Sequence, residues 1–165
     1  RQREEGFFIL LAMMAVGGVL VVACILVHYE ILRATSDFLV PRLRGVPRRP
    51  HVVLAVCACF IAHTIEVWLF AGVYYLLARE TAAGLPDEAR RHFLDYLYFS
   101  TETYTSLGFG EIQLLTNDLR LLAGIEAMIG LVLLAWTASF NVFMMERYWR
   151  EHPSRRHDDQ SPTDK

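Results

Sequence analysis

The chain has 165 residues, of which 54% are hydrophobic and 21% are charged, and its formal net charge is −2. This length indicates a single domain, and a charge so near zero gives no indication of a nucleic-acid partner. The sequence contains no phosphate-binding loop and no nucleophile–base pair, so we expect no catalytic residue, no enzymatic activity and no small-molecule substrate.

Three long apolar runs stand out along the sequence. Residues 7–27 carry no charge, residues 52–78 contain Glu66 as their only Asp, Glu, Lys or Arg, and residues 121–145 contain only Glu126. A helix of roughly 20 apolar residues crosses a bilayer core of about 30 Å. The sequence therefore predicts an all-α integral membrane protein that is embedded in a lipid bilayer. Because three spans enclose only a thin bundle, a pore would have to form between copies of the chain.

Arginines mark one side of these predicted spans. Between the first two runs the only acid is Asp37, against Arg33, Arg42, Arg44, Arg48 and Arg49. Further basic residues follow the third run, at Arg147, Arg150, Arg155, Arg156 and Lys165. Cytoplasmic loops carry the excess of Lys and Arg. We therefore expect the C-terminus in the cytoplasm, and the N-terminus and the 79–118 region outside.

The first span is predicted to begin near Gly6. Its helix is expected to continue as far as Val40, because Pro41 is the first strong stop. The apolar run is too long for a signal peptide, and no small-residue cleavage site follows it. Residues 41–50 then form a basic turn that is punctuated by proline.

The second span is expected to run from about residue 51 to residue 78, and a polar outer loop follows at 81–87. Asn117 offers an N-cap for the third span, which is predicted to reach about residue 148. The polar residues 149–165 are expected to form a disordered cytoplasmic tail.

A short helix is predicted at 92–105, leading directly into Thr-Ser-Leu-Gly-Phe-Gly-Glu at 105–111. Gly108 and Gly110 flank Phe109, and glycine adopts unusual backbone angles at little cost. Such a backbone can run extended with its carbonyl groups facing one way, and between membrane helices these carbonyls can replace the hydration shell of an ion. The C-terminal end of the short helix is the negative end of its dipole and would also favour a cation nearby.

This segment resembles the filter of potassium channels, which reads T-V-G-Y-G-D. The resemblance extends to Tyr-Phe-Ser-Thr-Glu-Thr at 98–103, where the family's pore helix has an aromatic pair, Ser, any residue, Glu and Thr. It implies a potassium-selective homotetramer with a re-entrant pore helix and a pore domain at 51–148. The extra helix and basic loop at 1–50 are similar to those of small bacterial ion channels, which implies a bacterial plasma membrane.

The resemblance also implies roles for individual residues. It assigns binding of K⁺ ions to the filter, formed by Ser106, Leu107, Gly108, Phe109 and Gly110. It implies that Glu102 on the pore helix pairs with Glu111 after the last glycine. We expect these two carboxyl groups to share a proton and, together with Thr105, to support the filter.

Four filter positions depart from the family pattern: Ser106 replaces Thr, Leu107 replaces Val, Phe109 replaces Tyr and Glu111 replaces Asp. Phe109 cannot donate the hydrogen bond that tyrosine gives to the pore-helix aromatics, and serine is less restrained at χ1 than threonine. Both glycines and the number of carbonyls are retained. Potassium selectivity is therefore favoured over the alternative, a weakly selective cation channel.

The third span carries the predicted gating residues. Gly130 falls where the family has its hinge glycine, and a mid-helix glycine costs about 1 kcal/mol relative to alanine. Bending of the helix during gating would account for a glycine at this position, and so would close packing against the pore helix. Gly124 is a second hinge candidate, for which a packing contact is the favoured explanation. Ala138, Val142 and Met145 share one stripe and are predicted to line an inner gate, with plain helix packing as the alternative.

Ionisable residues also occur within the spans. His63 and Glu66 share one face of the second span, and counting at 1.5 Å per residue places His28 at a similar depth. Three interpretations are open: a hydrogen-bonded pair that anchors the spans, a proton sensor based on His63, and a zinc-type metal site of His28, His63 and Glu66. The last two would also suit a non-channel sensor or metal-binding membrane protein. Glu126 is predicted behind the pore helix, and Arg33 alone makes no voltage sensor.

Overall fold

The computed structural model describes residues 2–39, 48–81 and 92–150, and this part of the chain is helical apart from short connections. The α-helices are α1 (Gln2–Ala34), α2 (Arg48–Thr81), α3 (Phe93–Tyr104) and α4 (Asn117–Arg150). Three of them are long and apolar enough to cross a membrane, over Gly6–Asp37, Pro50–Arg79 and Asn117–Glu146. The predictions of an all-α protein and of three spans are confirmed.

The first span ends in a change of helix type. A π-helical turn, Thr35–Leu39, continues α1, and the Thr35 hydroxyl donates to the carbonyl oxygen of Ile31 at 2.7 Å. Helical structure therefore extends almost as far as predicted. Val40, most of the proline-punctuated turn at 41–50, the polar loop at 82–87 and the tail at 151–165 lie outside the described residues.

Helix α1 packs beside α4, and the two run in the same direction. Gly17 of α1 lies against Ile125 of α4, so closely that a Cβ on the glycine would stand 2.6 Å from Ile125 Cδ1. Further along both helices, His28 Nε2 is 3.3 Å from Thr137 Oγ1. The absence of a side chain at Gly17 lets the helices approach, as small residues do in membrane bundles.

Helix α3 is short and lies against α2 and α4. At its start, Phe93 makes edge-to-face contacts with Trp68 and Tyr75 of α2, at centroid distances of 5.7 and 5.8 Å. At its end, the Tyr104 hydroxyl donates to Glu66, close to the middle of α2. Helix α3 therefore runs back along α2 to about half its length. Its 12 residues span about 18 Å, which is less than a bilayer core.

The core lies between α3 and the long helices. Phe70, Tyr74, Leu122 and Leu133 are fully buried there, and Phe99 packs edge-to-face on Tyr74 at 5.4 Å. By contrast, the outward faces of the single chain expose large apolar side chains, among them Val19, Phe60, Leu94 and Met128. Apolar surfaces on this scale require lipid or other protein to cover them.

Candidate functional site

Helix α3 ends in a Schellman motif that sets the direction of the following segment. The Ser106 N–H donates to Thr103 O, and the Leu107 N–H donates to Glu102 O, both at 3.0 Å. Ser106 has a φ of 57°, in the left-handed region that this motif usually fills with glycine. The chain therefore leaves the helix through a serine whose backbone is strained.

Beyond that serine the backbone alternates in handedness. Gly108 and Gly110 have φ angles of 55° and 79°, whereas Leu107 and Phe109 between them do not have positive φ. This alternation allows successive carbonyl groups of an extended chain to face the same side. The two intervening side chains are 61% and 63% exposed in a single chain. Residues 106–110 therefore form a surface segment with the backbone angles expected of the two glycines.

Two acidic residues lie near this segment. Glu102 on α3 is buried, and its Oε1 has no hydrogen-bond partner within the described part of a single chain. Glu111 follows the last glycine and is exposed. Desolvation raises the pKa of the Tyr98 hydroxyl, and so do a hydrogen bond to Glu102 and the charges of Glu102 and Glu111. The direct pairing of Glu102 with Glu111 stays a prediction.

Gly130 on α4 makes a close backbone contact with α3. A Cβ at this position would stand 2.1 Å from the carbonyl oxygen of Tyr104. Close packing therefore accounts for this glycine, and its role as a hinge stays a prediction. A Cβ added at Gly124 would meet no neighbouring atom within 4 Å among the described residues, so Gly124 makes no close packing contact within a single chain and the contact expected there stays a prediction. The inner-gate candidates Ala138 and Val142 are exposed.

The structure brings His28, His63 and Glu66 together. Nδ1 of His28 lies 2.9 Å from Glu66 Oε1, and Nδ1 of His63 lies 3.0 Å from Glu66 Oε2. The imidazole centroids are 5.1 Å apart, so the two histidines are level in the bundle, as counting along the spans predicts. One potential metal-ligand atom from each of the three residues lies within 4.8 Å of those of the other two.

Two residues that the sequence analysis missed complete this polar cluster. The Tyr104 hydroxyl donates to Glu66 Oε2 and lies 2.8 Å from His63 Nδ1. On the other side, Thr137 Oγ1 lies 2.9 Å from His63 Nε2 and 3.3 Å from His28 Nε2. The sequence gives only a weak signal for Thr137, because Ser139 is a second hydroxyl residue in the same part of the span. All four helices thus contribute to what we call the histidine cluster: His28, His63, Glu66, Tyr104 and Thr137.

A second polar cluster lies behind α3, where Glu126 was predicted. Glu126 is fully buried and accepts a hydrogen bond from Tyr74 at 2.7 Å. It is also hydrogen-bonded to Ser100, whose hydroxyl lies 2.9 Å from the carbonyl oxygen of Val67. Because a serine hydroxyl carries one hydrogen, a proton on Glu126 would satisfy both contacts. This cluster fixes the middle of α3 to both neighbouring spans.

Comparison with known protein families supplies a further finding. Residues 62–147 match an ion channel family, which is more than half of the chain. The matched region starts next to His63, includes α3 and residues 106–110, and ends near the C-terminus of α4; it excludes α1. No match to a curated protein or to a solved structure was found.

Proposed function

Because the chain belongs to the ion channel family, in its potassium-channel pore-domain type, we propose that it conducts K⁺ passively across a membrane and selects K⁺ over Na⁺. Four copies of the chain surround one axis in this proposal, and the pore runs along that axis. Family membership favours a channel over the non-channel sensor or metal-binding protein.

The observation that carries the proposal is the backbone of residues 106–110. Positive φ angles at Ser106, Gly108 and Gly110 alternate with ordinary ones, as a ladder of carbonyl groups facing one side requires. Such carbonyls replace the water around a dehydrated cation. The Ser106 hydroxyl then forms the innermost site, and Glu102, Thr105 and Glu111 support the filter from behind.

The position of α3 supports a re-entrant pore helix. The helix runs from the level of Tyr75 to the level of Glu66, near the middle of α2, and the chain then returns to begin α4 at Asn117. Its C-terminal end, with the negative end of the helix dipole, therefore lies at membrane depth and favours a cation nearby. Irregular backbone at this depth is tolerated where it lines water or is buried in protein.

The exposed surfaces of a single chain support the tetramer. Leu107 and Phe109 are more than half exposed, and neighbouring copies would bury them when residues 106–110 meet at the axis. Ala138 and Val142 are exposed on α4 as well, and they line the inner gate in this arrangement. The arginine distribution supports an N-terminus outside and a C-terminus in the cytoplasm of a bacterial plasma membrane.

Weak cation selectivity is the alternative within the channel class. The feature that favours it is Ser106, whose left-handed backbone is held without a β-branch to restrain the hydroxyl. Reversal potentials in mixed K⁺ and Na⁺ gradients separate the two cases, because a selective pore follows the K⁺ gradient alone.

The test uses the purified full chain in liposomes. Gly108→Ala places a Cβ on a residue with positive φ and is expected to abolish K⁺ flux. Gly72→Ala is the matched control, since neither glycine has a neighbouring atom within 4 Å of the new Cβ and only Gly108 has positive φ. Unchanged K⁺ flux through the Gly108→Ala protein would reject the filter assignment.

A further inference from the structure

The histidine cluster has the composition and spacing of a metal site. We propose that His28, His63 and Glu66 bind one divalent transition-metal ion of the Zn²⁺ class between α1, α2 and the end of α3. Metal binding does not depend on the channel proposal, and only its effect on K⁺ flux rests on that proposal.

The donor set suits such an ion. Two imidazole nitrogens and a carboxylate are ligands that zinc accepts, at metal–ligand distances of about 2.0–2.2 Å. Neighbouring ligands of a tetrahedral ion at these distances lie about 3.3 Å apart. The observed separations of 2.9 Å for His28 and 3.0 Å for His63 from the Glu66 oxygens are only a few tenths of an ångström shorter. The two histidines contact different oxygens of the carboxylate, and the three ligand atoms lie within 4.8 Å of one another, so binding of one ion requires the side chains to adjust.

One arrangement of hydrogens in the cluster is suited to a cation. If both neutral histidines carry the proton on Nδ1, both Nε2 atoms face Thr137, whose hydroxyl has a single hydrogen for two acceptors. If both carry it on Nε2, Thr137 accepts both bonds through its two lone pairs. The two bare Nδ1 atoms then face the Glu66 carboxylate. A metal ion held by those three groups satisfies this second arrangement completely.

In that arrangement Thr137 acts as an outer-sphere partner, which accepts hydrogen bonds from the two histidines and does not contact the metal. Histidines that bind a metal through one nitrogen usually donate the other N–H to a neighbouring polar group, which fixes the ring. Here one threonine hydroxyl on α4 lies within hydrogen-bond distance of the free nitrogens of both rings. The imidazoles are thereby oriented with Nδ1 toward Glu66.

Charge and position also favour a cation. His28 and Glu66 have fully buried side chains, and a buried carboxylate among neutral groups is costly within a membrane. Tyr104 is the last residue of α3, where the helix dipole favours positive charge. Its hydroxyl lies 2.8 Å from His63 Nδ1 and offers a fourth oxygen. The His63 side chain is 15% exposed in a single chain, so His63 is the ligand at the edge of the site.

A bound ion would attach α1 to the pore unit. His28 comes from α1, outside the region that matches the channel family, whereas His63 and Glu66 come from within it. Tyr104 closely precedes the segment that we propose as the filter. Loss of the ion is therefore expected to loosen the position of Tyr104 and to lower K⁺ flux.

The test uses the purified full chain, first treated with a chelator and then dialysed against Zn²⁺ alone. We expect one zinc per chain by elemental analysis, a higher Tm with Zn²⁺, and a visible absorption band with Co²⁺ as a spectroscopic substitute. His28→Gln and Glu66→Gln are expected to lower the affinity by about 100-fold or more, and Thr137→Val by about 10- to 100-fold. Glu126→Gln is the matched control, because it removes a buried acid of a span outside the cluster and should leave zinc affinity unchanged.

Wild-type protein that takes up neither Zn²⁺ nor Co²⁺ overturns the proposal, even where a variant fails to fold. Metal binding that survives His28→Gln in folded protein also overturns it. Flux that follows pH in protein without metal affinity would assign a proton to the cluster instead, and the metal site would be wrong. Stoichiometric zinc binding without K⁺ flux, by contrast, would reject the channel proposal and leave the metal site standing.

Discussion

The carbonyl oxygen of Tyr104 occupies the space that a side chain at Gly130 would need, since a Cβ there would stand 2.1 Å away. The phenol of the same tyrosine is hydrogen-bonded to Glu66 on α2. Tyr104 is therefore held through its backbone by α4 and through its side chain by α2. Its position decides where residues 106–110 begin.

Gly130→Ala should destabilise the protein. Its new methyl group meets backbone, which cannot rotate away, and overpacking of this kind costs about 1–3 kcal/mol. Gly124→Ala is the control, because no neighbouring atom lies within 4 Å of its added Cβ, and it should gain up to about 1 kcal/mol from helix propensity. Thermal unfolding in detergent measures both. Equal stabilities, with altered gating in Gly130→Ala alone, would favour the hinge over the packing contact.

Gly17→Ala should weaken the contact between α1 and α4 by about 1 kcal/mol. The added methyl would lie 2.6 Å from Ile125 Cδ1, and this is the atom that Ile125→Val removes. The double variant should therefore be more stable than the sum of the two single changes predicts, by about 0.5–1 kcal/mol. Gly18→Ala, with no neighbouring atom within 4 Å, is the adjacent control. Simple additivity would contradict the observed packing.

Ser106→Gly should stabilise the end of α3 by about 1 kcal/mol, because glycine adopts a φ of 57° without the strain of a Cβ. Ser106→Ala keeps that strain and removes only the hydroxyl. If the hydroxyl forms an ion site, both variants lose K⁺ flux although their stabilities move apart. Wild-type flux in both would show that Ser106 contributes backbone oxygen only.

Tyr104→Phe should cost about 1–3 kcal/mol, since a buried carboxylate at Glu66 loses a donor. Tyr29→Phe removes a hydroxyl from a side chain that is 46% exposed and should change stability by less than about 0.5 kcal/mol. Chemical or thermal unfolding in detergent compares the two. Matching values would mean that the Tyr104 hydroxyl does not support Glu66.

The three spans and the level pairing of His28 with His63 were predictable because they depend on local quantities. Apolar length decides whether a helix can cross a bilayer, and the rise per residue converts sequence distance into depth. The same reasoning placed Glu126 behind α3, where Ser100 and Tyr74 contact it.

Contacts that depend on how the helices are rotated were not predictable. Thr137 faces both histidines only because α4 presents that side to α1 and α2, and the sequence does not distinguish it from Ser139, which donates to the carbonyl oxygen of Ala135 within its own helix. The sequence likewise contains several glycines within spans and does not distinguish Gly17, which meets a neighbouring helix, from Gly124, which does not. The left-handed backbone at Ser106 follows from the helix end, whereas serine itself disfavours it.

The contacts of Tyr104 with both α2 and α4 have a consequence for biogenesis. Membrane helices are inserted first and associate afterwards, and α3 finds its two attachment points only when α2 and α4 are both in the bilayer. If α3 is re-entrant, as we propose, it can therefore make both contacts only after the last span has been inserted. Packing of α3 against both spans is then among the final steps in the folding of the protein.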